Sequence, residues 1–400
     1  MSKAFPKLAA GPETVLIPGP SILPDAVRAA IQRPSIDIYS GPLLDVTARC
    51  EAGLQKLFGT ARRVFLYAAN GHGVWDAALC NTLSRGDRIL VLESGRFAAG
   101  WGHMAEAMGL QIETLPGDWH SAIDLCALSQ RLAQDKGQEI AAILCVQVDT
   151  ASGVCNDIGA IRQAIDATGH SALLMVDAIA SLGTMPFAFD DWRVDVAVSA
   201  SQKGLMCPAG LGFVVAGQRA LVAHESAGLR SRYWDWTARA TDDHYSKYCG
   251  TPPEQLLFGL AEALDMMEQE ELTAVYSRHA ALRDATQAAI GQWQGAGARP
   301  NIPEPDARAP SVSVLNFADR HADGIIAFCK QYCGVTLGRG LGDWAGKSIR
   351  IGHMGYINAA TVLGALASID LALQSLDIQP NAAGTGAAIR ALNEQGKISA

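Results

Sequence analysis

The chain has little charge: 18% of its 400 residues are Asp, Glu, Lys or Arg, with 32 basic residues against 40 acidic ones. A net charge of -8 with no basic stripe excludes a partner held by neutralising nucleic-acid phosphates. Long apolar runs are missing too. The stretch 140–146 is among the longest, far short of the roughly 18 residues that a membrane span requires. The low hydropathy of disordered chains is also absent, since 49% of the residues are apolar and the mean hydropathy is +0.12. No Cys-x-x-Cys pair occurs among nine cysteines, an odd number. Cys329 and Cys333 stand four apart on an expected helix without other metal ligands around them, so no metal site is expected. The start, MSKAFPKLAAGPE, has no apolar segment of signal-peptide length. Free thiols and no leader point to the reducing cytoplasm.

Length alone sets a prior of two or three domains. From residue 60 onward short β-rich runs alternate with helical stretches. The strands expected are 63–69, 88–94, 111–115, 141–149, 172–178, 195–201 and 212–216, with helices such as 124–136 and 157–168 between them. Strands apolar on both faces and separated by helices predict an α/β domain with a mostly parallel seven-stranded sheet covered on both sides. After Pro253 two long helices follow, to Glu271 and then from Leu272 to Trp293. A loop is expected over 295–310, then strands at 311–317 and 348–352 and helices at 322–332 and 359–374: a smaller α+β unit. The organisation expected is an N-terminal arm, 1–20, a large domain, 21–271, and a small C-terminal domain, 272–400. The tail from Pro380 is left between fraying and a short helix.

Ligands of an open α/β sheet sit at the carboxyl ends of its strands. Three features fall there. Asp177 ends the run Leu-Leu-Met-Val-Asp, where it is either a cap or a functional carboxylate. Lys203, one of only nine lysines, follows an apolar strand and precedes Gly204. Such a lysine is either a snorkelling edge residue or an amine suited to Schiff-base chemistry. Asn70-Gly71-His72-Gly73 joins a strand to a helix, a turn whose amides can face a phosphate. The spacing is not that of a dinucleotide fingerprint, Gly-x-Gly-x-x-Gly. Together a cradle, an aspartate and a lysine describe what pyridoxal phosphate needs: an aldimine partner, a partner for the pyridinium nitrogen and an anchor for the phosphate.

The runs Val176–Gly183 and Ser199–Leu205, with Ile17-Pro18-Gly19-Pro20 near the start and Arg350-Ile351-Gly352-His353-Met354-Gly355 near the end, resemble class V aminotransferases. Within them the chain is similar to the alanine/serine/aspartate–glyoxylate branch. The resemblance implies the fold type I architecture of pyridoxal-phosphate enzymes. It also implies a role for each matching residue. Lys203 would hold the cofactor and shuttle the proton, and Asp177 would pair with the ring nitrogen. Asn70, Gly71, His72 and Gln202 would bind the phosphate side. Thr150 would bond the ring hydroxyl, and Phe97 would stack on the ring. Tyr248 and Thr251 would reach the phosphate of a neighbouring subunit, which makes a homodimer or homotetramer with shared active sites. Arg350 would clamp the substrate carboxylate.

Arg339, 11 residues earlier, is either a receiver for a second carboxylate or a loop charge. The function so implied is transfer of an amino group from a small L-amino acid, aspartate or serine, to glyoxylate, giving glycine and a 2-oxo acid. The alternatives are a pyridoxamine–pyruvate aminotransferase, a lyase of the cysteine-desulfurase kind, for which Cys333 is the one candidate nucleophile, and a non-catalytic phospholigand-binding protein.

Overall fold

The computed structural model describes residues 8–319 and 321–396; the first seven residues of the expected arm and the last four of the tail lie outside it. Its strands, in chain order, are β1 Thr14–Leu16, β2 Val64–Ala69, β3 Arg88–Leu92, β4 Gln111–Leu115, β5 Ile140–Val146, β6 Val148–Asp149, β7 Val154–Cys155, β8 Leu173–Asp177, β9 Val196–Ala200, β10 Gly210–Ala216, β11 Ala298–Pro300, β12 Val312–Phe317, β13 Val335–Arg339 and β14 Ser348–Gly352. One sheet of seven strands runs β2-β10-β9-β8-β5-β3-β4. Its pairs are parallel except that β10 lies antiparallel to both β2 and β9. Each of the seven expected strands has a counterpart, with its ends moved by no more than three residues. Every residue of β8 and β9 is buried, as their two-sided apolar pattern requires.

Three sequence expectations change, and the tail takes one of the two forms left open for it. The run 141–149 is not one strand: it breaks at Gln147, whose amide donates to Asp177 O and whose carbonyl accepts from Asn156, so the chain turns into the small β6–β7 ladder. The segment around 337–342, expected as a loop, begins as strand β13, because a strand partner lies on either side of it. Within 295–310, β11 pairs antiparallel with β12. The tail is a helix, Gly384–Gly396, capped by the Asp370 carboxylate through the amides of Gly384 and Thr385. These strands make a second sheet, β1-β13-β14-β12-β11. Its first member comes from the N-terminal segment, since Thr14–Leu16 runs parallel to Val335–Leu337. Among the described residues no helix is long and apolar enough to cross a membrane.

Two neutral histidines brace the second sheet against its neighbours. His353 donates from Nδ1 to Pro310 O and its Nε2 accepts from Ser313 Oγ at 3.0 Å. His279 donates to Val275 O and accepts from the Gly355 amide. Burial pushes His279 down to about 4 and His353 to about 3. Both folded values lie below that of an unfolded histidine, ~6.5. The unfolded chain therefore takes up protons first, and the stability these histidines contribute is complete above pH 6.5 and falls as the pH drops toward 4. Urea midpoints at pH 7 and pH 5 are expected to show a loss of roughly 4 kcal/mol from the pair. The loss should shrink in His353→Gln; an equal loss in that variant rejects the assignment.

Candidate active site

The carboxyl ends of β8 and β9 open onto a cavity of about 260 Å³. Asn70, Gly71 and His72 line it from the turn after β2, Phe97 and Thr150 from two further segments, and Asp177, Gln202 and Lys203 from the ends of the sheet. Residues more than 130 positions apart thus converge because parallel strands point their ends to one side.

The turn after β2 is locally dictated. Asn70 has extended backbone and its side-chain oxygen accepts from the Gly73 amide at 3.2 Å, an N-cap for the helix Gly71–Cys80. The amides of Gly71 and His72 precede the first helical bond, so the helix itself supplies them no acceptor. Gly71 has no room for a side chain, since a Cβ would sit 2.6 Å from Ile179 Cδ1. That closeness lets backbone amides and the positive helix end approach an anion.

Asp177 is buried and receives two neutral donors, the Trp75 indole N–H at 2.8 Å and the Ile179 amide at 2.6 Å. Burial outweighs both and pushes its carboxyl up to about 7. Lys203, partly buried at the cavity wall, is pushed down to about 8 by desolvation first and by the Arg350 charge second. Its amine donates to Pro18 O. An amine near 8 is poised to be neutral and to act as base or nucleophile close to neutral pH.

Arg350 is set beside this cavity. Its Nε donates to Arg339 O at 2.7 Å and its Nη1 to Thr150 O at 3.1 Å, the carbonyl of a cavity residue. Desolvation lowers it to about 10, with Asp149 opposing. No carboxylate pairs with it among the described residues. A half-buried guanidinium bonded only to carbonyls keeps attraction for an incoming carboxylate.

Arg339, Tyr248 and Thr251 do not line the cavity of their own chain. Arg339 is exposed and does not line the cavity. The register pairs Gly338 with Arg350 and Arg339 with Ile349, so strand alternation sends Arg339 to the face opposite Arg350. Tyr248 is buried in its own chain: its hydroxyl lies 3.3 Å from Thr47 Oγ1 and its ring packs edge-on against His244. Thr251 is exposed, away from the cavity of its own chain.

Sequence reasoning missed Trp75, Pro18, Gly19 and Asp149. Trp75 lies four residues after Gly71, on the same helix face, which was the signal available for it. Asp149 is fully buried and its carboxylate accepts from the amides of Phe97, Ala98 and Ala151. It thereby holds the start of the helix Arg96–Ala107, and Phe97 with it, beside Thr150. No sequence pattern marks that contact.

Residues 49–345 match the family described as aminotransferase class-V. The chain is a class V aminotransferase. It is 38% identical over 371 residues to a serine–glyoxylate aminotransferase of Methylorubrum extorquens, covering 91% of each chain. It is 34% identical to an L-aspartate–glyoxylate aminotransferase of Paracoccus denitrificans, covering 94% of each. The crystal structure of pyridoxamine-pyruvate aminotransferase from Mesorhizobium loti superposes with a TM-score of 0.86 at 24% identity, covering 96% of this chain and 98% of that one. This transaminase therefore has the fold type I architecture, with its mostly parallel sheet of seven strands. Its family works with pyridoxal phosphate.

The cavity fits that cofactor on its own chemistry. Gln202 Oε1 is buried with no hydrogen-bond partner, beside the lysine. Among the described residues the Asp177 carboxylate has no salt-bridge partner, and a protonated ring nitrogen would supply the charge that its two neutral donors do not.

Proposed function

We propose that this aminotransferase moves the amino group of a small L-amino acid, serine or aspartate, to glyoxylate, yielding glycine and the 2-oxo acid. The observation that carries the reading is the convergence of a depressed lysine and a buried carboxylate at one cavity, with an arginine free of carboxylates bonded to the cavity residue Thr150 beside it. Pyridoxal phosphate, when bound, supplies an electron sink that makes the Cα–H bond of the amino acid acidic. Lys203 would hold it and, once free, carry the proton from the substrate Cα. Asp177, oriented by Trp75 and Ile179, would keep the ring nitrogen protonated. Asn70, Gly71 and His72 would anchor the phosphate through amides at a helix start. Thr150 and Gln202 are in place to bond the ring substituents, and Phe97 to cover the ring. Arg350 would hold the α-carboxylate in a two-pronged grip and so orient Cα toward the lysine.

Substrate names carried by relatives at 34–38% identity support glyoxylate as acceptor. Arg339 is exposed and leaves its strand on the face opposite Arg350, which does not favour it as a receiver of a second carboxylate. We place the enzyme in a homodimer or homotetramer, in which Tyr248 and Thr251 would reach a neighbour's phosphate. Nine free cysteines fit a reducing cytoplasm.

A donor panel of serine, aspartate and alanine against glyoxylate, pyruvate and oxaloacetate tests the reading. Glyoxylate with serine or aspartate is expected to give the highest kcat/KM. Turnover confined to pyridoxamine and pyruvate, or none at all, rejects it. Arg350→Lys is expected to raise KM about tenfold for each of these donors, since a lysine loses the paired grip. Arg339→Ala is expected to leave the ratio of serine to aspartate unchanged.

A further inference from the structure

The segment Ile17–Ser21 threads between the two sheets and touches the catalytic lysine directly. Pro18 O accepts the Lys203 amine. Gly19 has φ +93, and a Cβ there would overlap the outer end of the lysine, lying 2.6 Å from Cε. Ser21 closes the contact from the other side: its amide donates to Gln202 O at 3.0 Å and its hydroxyl to Lys203 O at 2.7 Å. The same segment is seated against the second sheet. A Cβ on Gly338 would meet Pro18 Cδ at 2.7 Å, and one on Gly352 would run into the Ile17 carbonyl. Leu16, just before it, closes the parallel ladder with Leu337. Gly338 faces Arg350 across that sheet. The strap is thus pinned by side-chain-free positions on one side and by the lysine on the other.

We propose that this strap, through the Pro18 carbonyl and the side-chain-free Gly19, is a positioning element for Lys203. It holds the free amine at the cavity wall with one N–H committed and the lone pair left for the substrate. The inference rests on the proposed reaction, in which the lysine amine must be free while it carries a proton. A base that swings freely on four methylenes spends little time within reach of Cα, whereas one tied to a backbone carbonyl is pre-oriented. The charged groups that face the amine are Arg350, which disfavours its protonated form, and Asp177, which favours it.

The test uses the full-length chain freed of cofactor. Trace acetylation with acetic anhydride across a pH series, read by peptide mass spectrometry, measures the titration midpoint of Lys203, with Lys56 and Lys247 as internal references. The wild-type midpoint is expected near 8. In Gly19→Ala the new methyl displaces the amine toward water, and the midpoint is expected to rise by about one unit or more. Uptake of pyridoxal phosphate, followed by absorbance, should slow about tenfold. Ser21→Ala, which loosens one anchor without filling space, should shift the midpoint in the same direction by less.

Wild-type midpoints in a folded Gly19→Ala, judged by its circular-dichroism melt, overturn the proposal. If that variant does not fold, Ser21→Ala decides: an unchanged midpoint overturns the strap, and an upward shift supports it. A shifted midpoint in an enzyme that shows no transfer to glyoxylate would remove the proposed reaction and leave the strap standing.

Discussion

Lys203→Ala is expected to lower kcat for transamination by about 10⁴-fold, the upper range for removing a general acid–base group. Among the described residues the amine is the only lysine that lines the cavity, and burial together with Arg350 has already brought it to about 8. No neighbouring side chain replaces it: the His72 ring packs on Trp75, and Asp177 is fully buried beneath two donors. Single-turnover kinetics separate chemistry from cofactor loss. Added methylamine or ethylamine should restore part of the rate, since a small amine can enter the space that the truncated side chain leaves. A variant within tenfold of wild type would remove Lys203 from the role of proton carrier.

Asp177→Asn is expected to cost about 3 kcal/mol in the transition state, roughly 100-fold in kcat, the upper range for a hydrogen bond to a charged group. The amide conserves size and can keep one acceptor, but it cannot carry the charge that holds a proton on the ring nitrogen. The same substitution should stabilise the cofactor-free chain at neutral pH. The folded carboxyl sits near 7 against an ordinary value of ~3.9, so the folded state binds its proton more tightly than the unfolded state does. Its ionisation therefore costs stability progressively as the pH rises from about 4 through 7, and an uncharged amide avoids that cost. A cofactor-free Asp177→Asn protein with a lower melting temperature at pH 8 than wild type would contradict this account of the carboxylate.

These two effects rest on residues that local sequence already marked. Asp177 and Lys203 end strands whose apolar pattern is unambiguous, and a parallel sheet places such ends together. Asn70, Gly71 and His72 are a weaker local signal, since ordinary turns also use a cap and glycines; they stand out because amides at a helix start can face an anion. Trp75 shows where local reading stops. Its face of the helix follows from the spacing, but that its indole meets Asp177, 102 residues away, depends on how the helix packs on the sheet. Within its own chain Tyr248, which the resemblance assigned to a neighbour's phosphate, meets Thr47, a contact that local sequence does not show.

What the amino-acid order determined by itself was periodic and local: seven apolar strands, the helices between them, a capped glycine turn and the chemistry of a lysine and an aspartate at strand ends. What only the tertiary structure decided was long-range. The strand β13 emerged where a loop was expected, because a five-residue segment becomes a strand when partners lie on both sides. Its register, a one-residue alternation, set Arg339 on the face opposite Arg350, which lies beside the cavity against Thr150. The N-terminal segment joined the second sheet and reached Lys203 across more than 180 residues. Alternation and capping are read from neighbours in sequence, whereas partner, register and close approach are set by neighbours in space.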